Sequence, residues 1–258
     1  MLSSTPEGWK EPFPQRIDEE QPIMQHTVRA YDEELNRLRT IVSEMGGLAE
    51  TELAGSVEAL MNRDPELAAK YVLMDRKIDR LEMEADELVV QMIARRSPLA
   101  DDLREIIAAL KITTMLERIG DFAKNVAKRV SAVASAAPVR PAVTIPHMAV
   151  EVSRMIHDVL DAYVERDSAK AVAVWRSDDR VDALYNSLFR ELLTYMMESP
   201  QTITASTHIL FIAKNLERIG DQATNIAEVV YFAIEGERLG DERPKADDTA
   251  TLLPEKPA

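Results

Sequence analysis

Residues 116–127 read LERIGDFAKNVA and residues 216–227 read LERIGDQATNIA, identical at nine of twelve positions and one hundred residues apart. An internal duplication constrains the fold more than any single motif, because each copy has to build the same local structure from its own residues. The flanks repeat as well: Arg63-Asp64 returns as Arg166-Asp167, and Ser97-Pro98 as Ser199-Pro200. Asp64 before Pro65 is a helix start, a capping side chain followed by proline at the first helical position. Ser97-Pro98 ends one helix and opens the next.

Each half then holds three long helical patterns, at about 24–62, 65–95 and 99–134, and at about 146–166, 168–198 and 202–235. No segment sustains the period-two alternation of a strand. In the third helix Ile112, Leu116, Ile119, Ala123, Val126 and Val130 step by four and three, and Ile212, Leu216, Ile219, Ala223, Ile226 and Val230 repeat the steps. Met74, Ile78, Leu81, Ala85, Leu88 and Met92 do the same in the middle helix. These are the spacings of bundle seams, and they are read as core. The expected fold is all-α: two tandem three-helix bundles related by internal pseudo-symmetry. The expected boundaries are an extended tail at 1–22, a first bundle at 23–136, a proline-punctuated linker at 137–146, a second bundle at 147–236 and a disordered tail at 237–258.

The chain has 258 residues, 46% apolar, enough for a sizeable core, and a formal charge of -14. That field repels nucleic-acid phosphates and anionic lipid and favours cations and basic partner surfaces. The absence of cysteine removes disulfides and thiolate metal sites. No stretch approaches the roughly 20 apolar residues of a membrane span, and MLSSTPEGWKEPFPQR has no apolar core of a secretory signal. The expectation is a cytoplasmic protein that meets a membrane only through partners.

The chemistry concentrates in two acidic stripes. Glu117, Asp121 and Asn125 share one face of the third helix, and Glu217, Asp221 and Asn225 repeat them. The middle helix adds Asp75 and Asp79, repeated as Asp178 and Asp182, while Glu82 and Asp86 give way to Tyr185 and Phe189. Like charges four apart destabilise a helix by a few tenths of a kcal/mol, and mid-helix Gly120 and Gly220 cost about 1 kcal/mol each against alanine. A glycine there lets another group approach closely. Two readings stand. The stripes are solvated faces with Lys124 and Lys214 as partners, or they are oxygen ligands for a metal, suited to iron(III), manganese, magnesium or calcium and tolerant of zinc. At 100° per residue Asp121 points about 180° from the apolar seam, so the stripe is expected to face outward. Arg118 and Arg218 are expected to bridge to a neighbouring helix, with an anion or a partner as the alternative.

His26, His147, His157 and His208 have no counterparts between copies, and none follows a glutamate by three residues, so the Glu-x-x-His pairs of di-iron bundles are missing. They are expected at the surface or in helix packing. No nucleophile elbow, triad pattern or Gly-rich phosphate loop is present. The residues themselves leave open a carboxylate-cluster metalloenzyme and a metal-free helical scaffold.

LERIGDFAKNVAKR and LERIGDQATNIAEVV, each preceded by a helix bearing D-x-x-x-D, resemble the PhoU family of phosphate-transport accessory regulators. RRSPLADDLREIIAALKI, LFRELLTYMMESPQTI and GERLGDERPK are similar too, so the resemblance covers about 24–245. It implies two pseudo-symmetric three-helix bundles and multinuclear iron or zinc clusters on their surfaces, held by E(D)-x-x-x-D motifs. Those motifs carry over to Glu117/Asp121, Asp75/Asp79, Glu217/Asp221 and Asp178/Asp182, with Asn125, Asn225, Arg118 and Arg218 in support; magnesium or manganese are the alternative metals. It further implies a non-enzymatic negative regulator of the phosphate-starvation response. Such a regulator is an adaptor between the ATPase subunit of a phosphate ABC transporter and a sensor histidine kinase, and works as a homodimer.

Overall fold

The computed structural model describes residues 20–240, with side chains placed from residue 30 onward except at position 141. Among these residues there is no strand. The helices are α1 (Glu20–Asn62), α2 (Pro65–Met74), α3 (Arg76–Arg96), α4 (Ala100–Ala134), α5 (Thr144–Glu165), α6 (Ser168–Trp175), α7 (Asp178–Glu198) and α8 (Ile203–Glu235). Glu20–Pro22 of the expected N-terminal tail therefore belong to α1. The rest of that tail, and of the one expected at 237–258 beyond Gly240, lies outside the described residues.

The repeat is visible element by element. The first bundle packs α1, α2–α3 and α4; the second packs α5, α6–α7 and α8. Asp64 caps α2 as the sequence predicts, its Oδ1 accepting from the backbone N–H of Glu66 at 2.9 Å and of Leu67 at 3.0 Å. Asp167 does the same for α6, accepting from Lys170 N–H at 2.9 Å. In place of a bare linker, a 3₁₀ turn at Arg140–Val143 leads into α5 at Thr144.

The middle pattern of each half differs from expectation. The helix expected over 65–95 breaks at Asp75, whose carbonyl accepts from Ile78 N–H at 2.8 Å and Asp79 N–H at 3.1 Å to restart the turn. The helix expected over 168–198 breaks at Arg176 and Ser177, with Ser177 Oγ donating to the Val174 carbonyl at 2.8 Å. In the first repeat apolar spacing continues from Met74 to Ile78 through the break, which is why periodicity alone does not register it; in the second the break falls in the polar run at 176–180.

One continuous apolar core runs through both bundles. Ile112, Leu116 and Ile119 of α4, and Ile212, Leu216 and Ile219 of α8, are fully buried, as their seam predicts. The bundles meet where α4 and α8 run antiparallel. Arg104, near the start of α4, lies beside Gly236 at the end of α8, and Arg129 near the end of α4 lies beside His208 near the start of α8. The two LERIGD segments fall at the middle of this pair, where the Arg218 guanidinium sits 5.8 Å from the Phe122 ring centre. No described helix is long and apolar enough to cross a membrane.

Candidate functional site

The break after α2 explains the glycine inside LERIGD. A Cβ on Gly120 would stand 2.8 Å from Ile78 Cδ1 and 3.3 Å from Asp75 Oδ1, so α4 is bare where the α2–α3 junction presses on it. The Asp75 carboxylate is thereby carried into the crevice between α3 and α4. In the second repeat Gly220 meets Val152, Asp178 and Val181 at 3.4–3.6 Å.

This packing corrects the expectation that the stripe on the third helix faces outward. Asp75, Asp178, Asp182 and Glu217 are all 6% exposed or less, while Asp79, Glu117, Asp121 and Asp221 are half-buried. The middle helix crosses the polar side of the third helix rather than leaving it to solvent, so the two carboxylate rows face one another. In the first repeat Lys124 Nζ bonds Asp75 Oδ2 at 2.5 Å and also bonds Asp121, tying the rows together. In the second, Lys214 Nζ bonds Glu217 Oε1 at 2.8 Å. Both lysine partnerships read from the sequence are therefore present, and each repeat draws its ammonium from a different register: Thr224 stands at the place of Lys124, and Thr114 at that of Lys214.

The crowding shows in the protonation of the carboxyls. Burial first, then Asp121, Glu82, Asp79 and Asp75, push the Glu117 carboxyl up to about 7. Burial raises Asp75 despite its bond to Lys124, and raises Glu217 despite Lys214, with Asp221 and Asp182 adding to it. Burial works to lower the Lys124 ammonium, yet hydrogen bonds to Asp121 and Asp75 outweigh it and its pKa is raised.

One member was missed in the sequence. Glu52 of α1 is 0% exposed, and among the described residues neither of its carboxylate oxygens has a hydrogen-bond partner. Burial, followed by the Asp75 charge, pushes its carboxyl up to about 8. Its place in the second repeat is taken by Met155, also fully buried. The signal was available: Glu52 and Ser56 lie on the core stripe with Ala49 and Ala59, at steps of three, four and three.

The supporting residues divide. Arg218 reaches across to Phe122, but Arg118 is exposed and makes no ion pair among the described residues, so the expected bridge forms in one copy only. Asn125 and Asn225 are half-buried and make no side-chain hydrogen bond among the described residues. His147 and His157 are exposed, His157 Nδ1 lying 3.5 Å from Glu50, and His208 is half-buried beside Arg129. The side chain of His26 lies outside the described residues.

Among the described residues no three His, Asp or Glu side chains converge closely enough to hold a metal ion. The fit to a metal is one of donor chemistry. The rows offer oxygen donors alone, which suits hard cations, and among the described residues buried oxygens without a partner remain on Asp75 (Oδ1), Glu217 (Oε2) and Glu52. An ammonium already stands where the charge of a cation is called for.

The PhoU domain matches residues 42–130 and 145–230, one match per repeat and each spanning its acidic row on α4 or α8. The chain belongs to the PhoU family. A phosphate-specific transport system accessory protein PhoU homolog from Zymomonas mobilis is 52% identical over 223 residues, covering 86% of this chain and 94% of that one. The crystal structure of PhoU from Pseudomonas aeruginosa has a TM-score of 0.77 at 39% identity, covering 80% of this chain and 100% of that one. The phosphate transport system regulatory protein PhoU from Streptococcus pneumoniae has a TM-score of 0.71 at 25% identity, covering 81% and 99%. The all-α fold expected from the repeat, PhoU-like by the resemblance, is therefore the fold of the family.

Proposed function

We propose that this chain is a non-enzymatic accessory regulator of phosphate uptake. It holds the phosphate-starvation response off by joining the ATPase subunit of a phosphate ABC transporter to a sensor histidine kinase. It acts as a cytoplasmic homodimer and meets the membrane through those partners. The observation that carries the reading is a PhoU domain in each repeat, in a chain that matches phosphate-transport accessory relatives along most of their length. An adaptor needs differential affinity for the two states of its partner, not a reaction. In a strain lacking the gene, a phosphate-starvation reporter is expected to stay on in high phosphate. Output that remains repressed overturns the regulatory role.

The two acidic crevices are proposed as cation sites, Asp75, Asp79, Glu117 and Asp121 in one and Asp178, Asp182, Glu217 and Asp221 in the other. Iron or zinc follows from the family resemblance, and oxygen-only donors favour iron(III), manganese or magnesium over zinc. A bound cation would supply the positive charge that lets all four carboxyls of a row pair ionise. Metal analysis of untagged protein and of an Asp121→Ala/Asp221→Ala variant tests the assignment, and equal metal content in the two overturns it.

A metal-free scaffold is favoured by one observation, the lysine already bonded within each crevice. It predicts no metal in the untagged protein and no effect of the double variant on repression. Carboxyls raised toward neutrality, such as Glu117, are also what a general acid or base requires. A metalloenzyme reading predicts phosphate-ester turnover that is lost in Asp121→Ala.

A further inference from the structure

The two ends of the antiparallel α4–α8 pair correspond under the repeat, and they are built differently. At one end Arg129 lies 4.4 Å over the Phe211 ring and 3.4 Å from His208 Nδ1. At the other end the groove opens into a cleft of about 430 Å³, whose lining includes Arg104 and Lys111 from α4, Val229 and Phe232 from α8, and Arg238 just beyond it. The three cations have no counterparts: the other repeat carries Thr204, Phe211 and Pro138 in their places. The doubled architecture does not require them.

Three cations on one cleft stand out on a chain of net charge -14. Among the described residues Glu228 is the only acidic side chain in the lining, and its Oε1 accepts a hydrogen bond from Trp175 Nε1 at 2.9 Å. Lys111 and Arg238 form no ion pair among the described residues. Among the described residues Arg104 bonds only the exposed Asp101, and its buried Nε has no partner. A concave cationic site with low-dielectric walls focuses its field and draws small anions. Guanidinium groups bind phosphoryl oxygens through paired N–H donors. The volume falls within the range of small-molecule pockets, and one inorganic oxyanion would fill little of it. Ile107, Val229, Phe232 and Leu239 give the rest of the cleft an apolar wall with one aromatic ring.

We propose that this cleft binds an organic phosphate. Two or more phosphoryl charges are held by Arg104, Lys111 and Arg238, and an apolar or ring portion lies against Val229 and Phe232. The site is separate from the acidic crevices and does not depend on a metal.

Calorimetric titration of the full chain with ATP, in EDTA and at low salt, tests it. One binding site is expected. Lys111→Ala and Arg238→Ala, both at exposed positions, are each expected to weaken it by about tenfold or more. Lys128→Ala, an exposed lysine of α4 outside the cleft, is expected to leave it unchanged, and circular dichroism confirms that each variant folds. No ATP binding at millimolar concentration, unchanged affinity in both cleft variants, or an equal loss in Lys128→Ala overturns the site. Pyrophosphate binding as tightly as ATP overturns the organic part of the assignment.

Discussion

Asp75 Oδ1 lies 3.3 Å from the point where a Cβ on Gly120 would stand, whereas Asp178 Oδ1 is 3.6 Å from the same point on Gly220. The first repeat is the tighter copy, and alanine substitution separates them. Gly220→Ala makes ordinary contacts and gains helix propensity, about 1 kcal/mol. Gly120→Ala gains the same propensity but forces the Cδ1 methyl of Ile78, fully buried in the core, to shift, at a cost of roughly 1–3 kcal/mol. Urea unfolding is therefore expected to show Gly220→Ala above the parent chain and Gly120→Ala below it. Equal stabilisation by the two would show that the α2–α3 junction does not press on Gly120.

Lys124 joins two carboxylates from different helices, one of them on the nearly inaccessible Asp75. Lys124→Ala leaves that charge without compensation in the crevice. In EDTA the variant is expected to lose roughly 3 kcal/mol, since removing one partner of a buried pair strands the other. If the crevice takes a hard cation, manganese(II) should raise the melting temperature of Lys124→Ala more than that of the parent chain. A variant as stable as the parent would mean that Asp75 is neutral there and needs no counter-charge.

Glu52 gives the metal-free protein a defined pH dependence. Its carboxyl titrates near 4.5 when unfolded and near 8 when folded. The folded chain keeps a proton that the unfolded chain releases. The stability from that proton is present in full below about pH 4.5, falls as pH rises, and is gone above about 8. The slope is at most about 1.4 kcal/mol per pH unit for one proton. Glu52→Met, which copies Met155 of the other repeat, is expected to flatten the decline between pH 5 and 8 and to stabilise the protein most at pH 8. Denaturant titrations at both pH values check this, and identical slopes in the two proteins would remove Glu52 as its source.

The outer helices of each repeat and the seams of α4 and α8 were legible because burial imposes a period. Ile112 to Val130, and Ile212 to Val230, sit where their spacing puts them. The Asp64 and Asp167 caps were legible because a cap is a local bond between near neighbours. The direction of the acidic stripe was not, since an angle measured from the seam of α4 says nothing about which helix crosses the opposite side. Asp75 and Asp178 become buried through the breaks beside them, and at the first of these the apolar spacing runs on from Met74 to Ile78 without interruption. Glu52 was hidden for a different reason: a single carboxyl on a core stripe reads as a lapse in the pattern until the group it faces is known.

Glu105 of α4, nearly buried, joins the repeats through two arginines. Its Oε1 accepts from Arg39 Nε of α1 at 2.8 Å, and its Oε2 from Arg166 Nη1, at the end of α5, at 2.7 Å. Both arginines are 40% or more exposed at the side chain, so each regains water when its bond is lost, and each single pair is worth about 1 kcal/mol or less. Either Arg39→Ala or Arg166→Ala alone leaves the carboxylate one charged partner. The double variant leaves it none, and stranding a buried charge costs more than the pairs it replaces. The double variant is therefore expected to lose more stability than the sum of the single losses, by roughly 1 kcal/mol. A double-mutant cycle in urea measures that excess directly. An additive result would mean that the two arginines hold Glu105 independently.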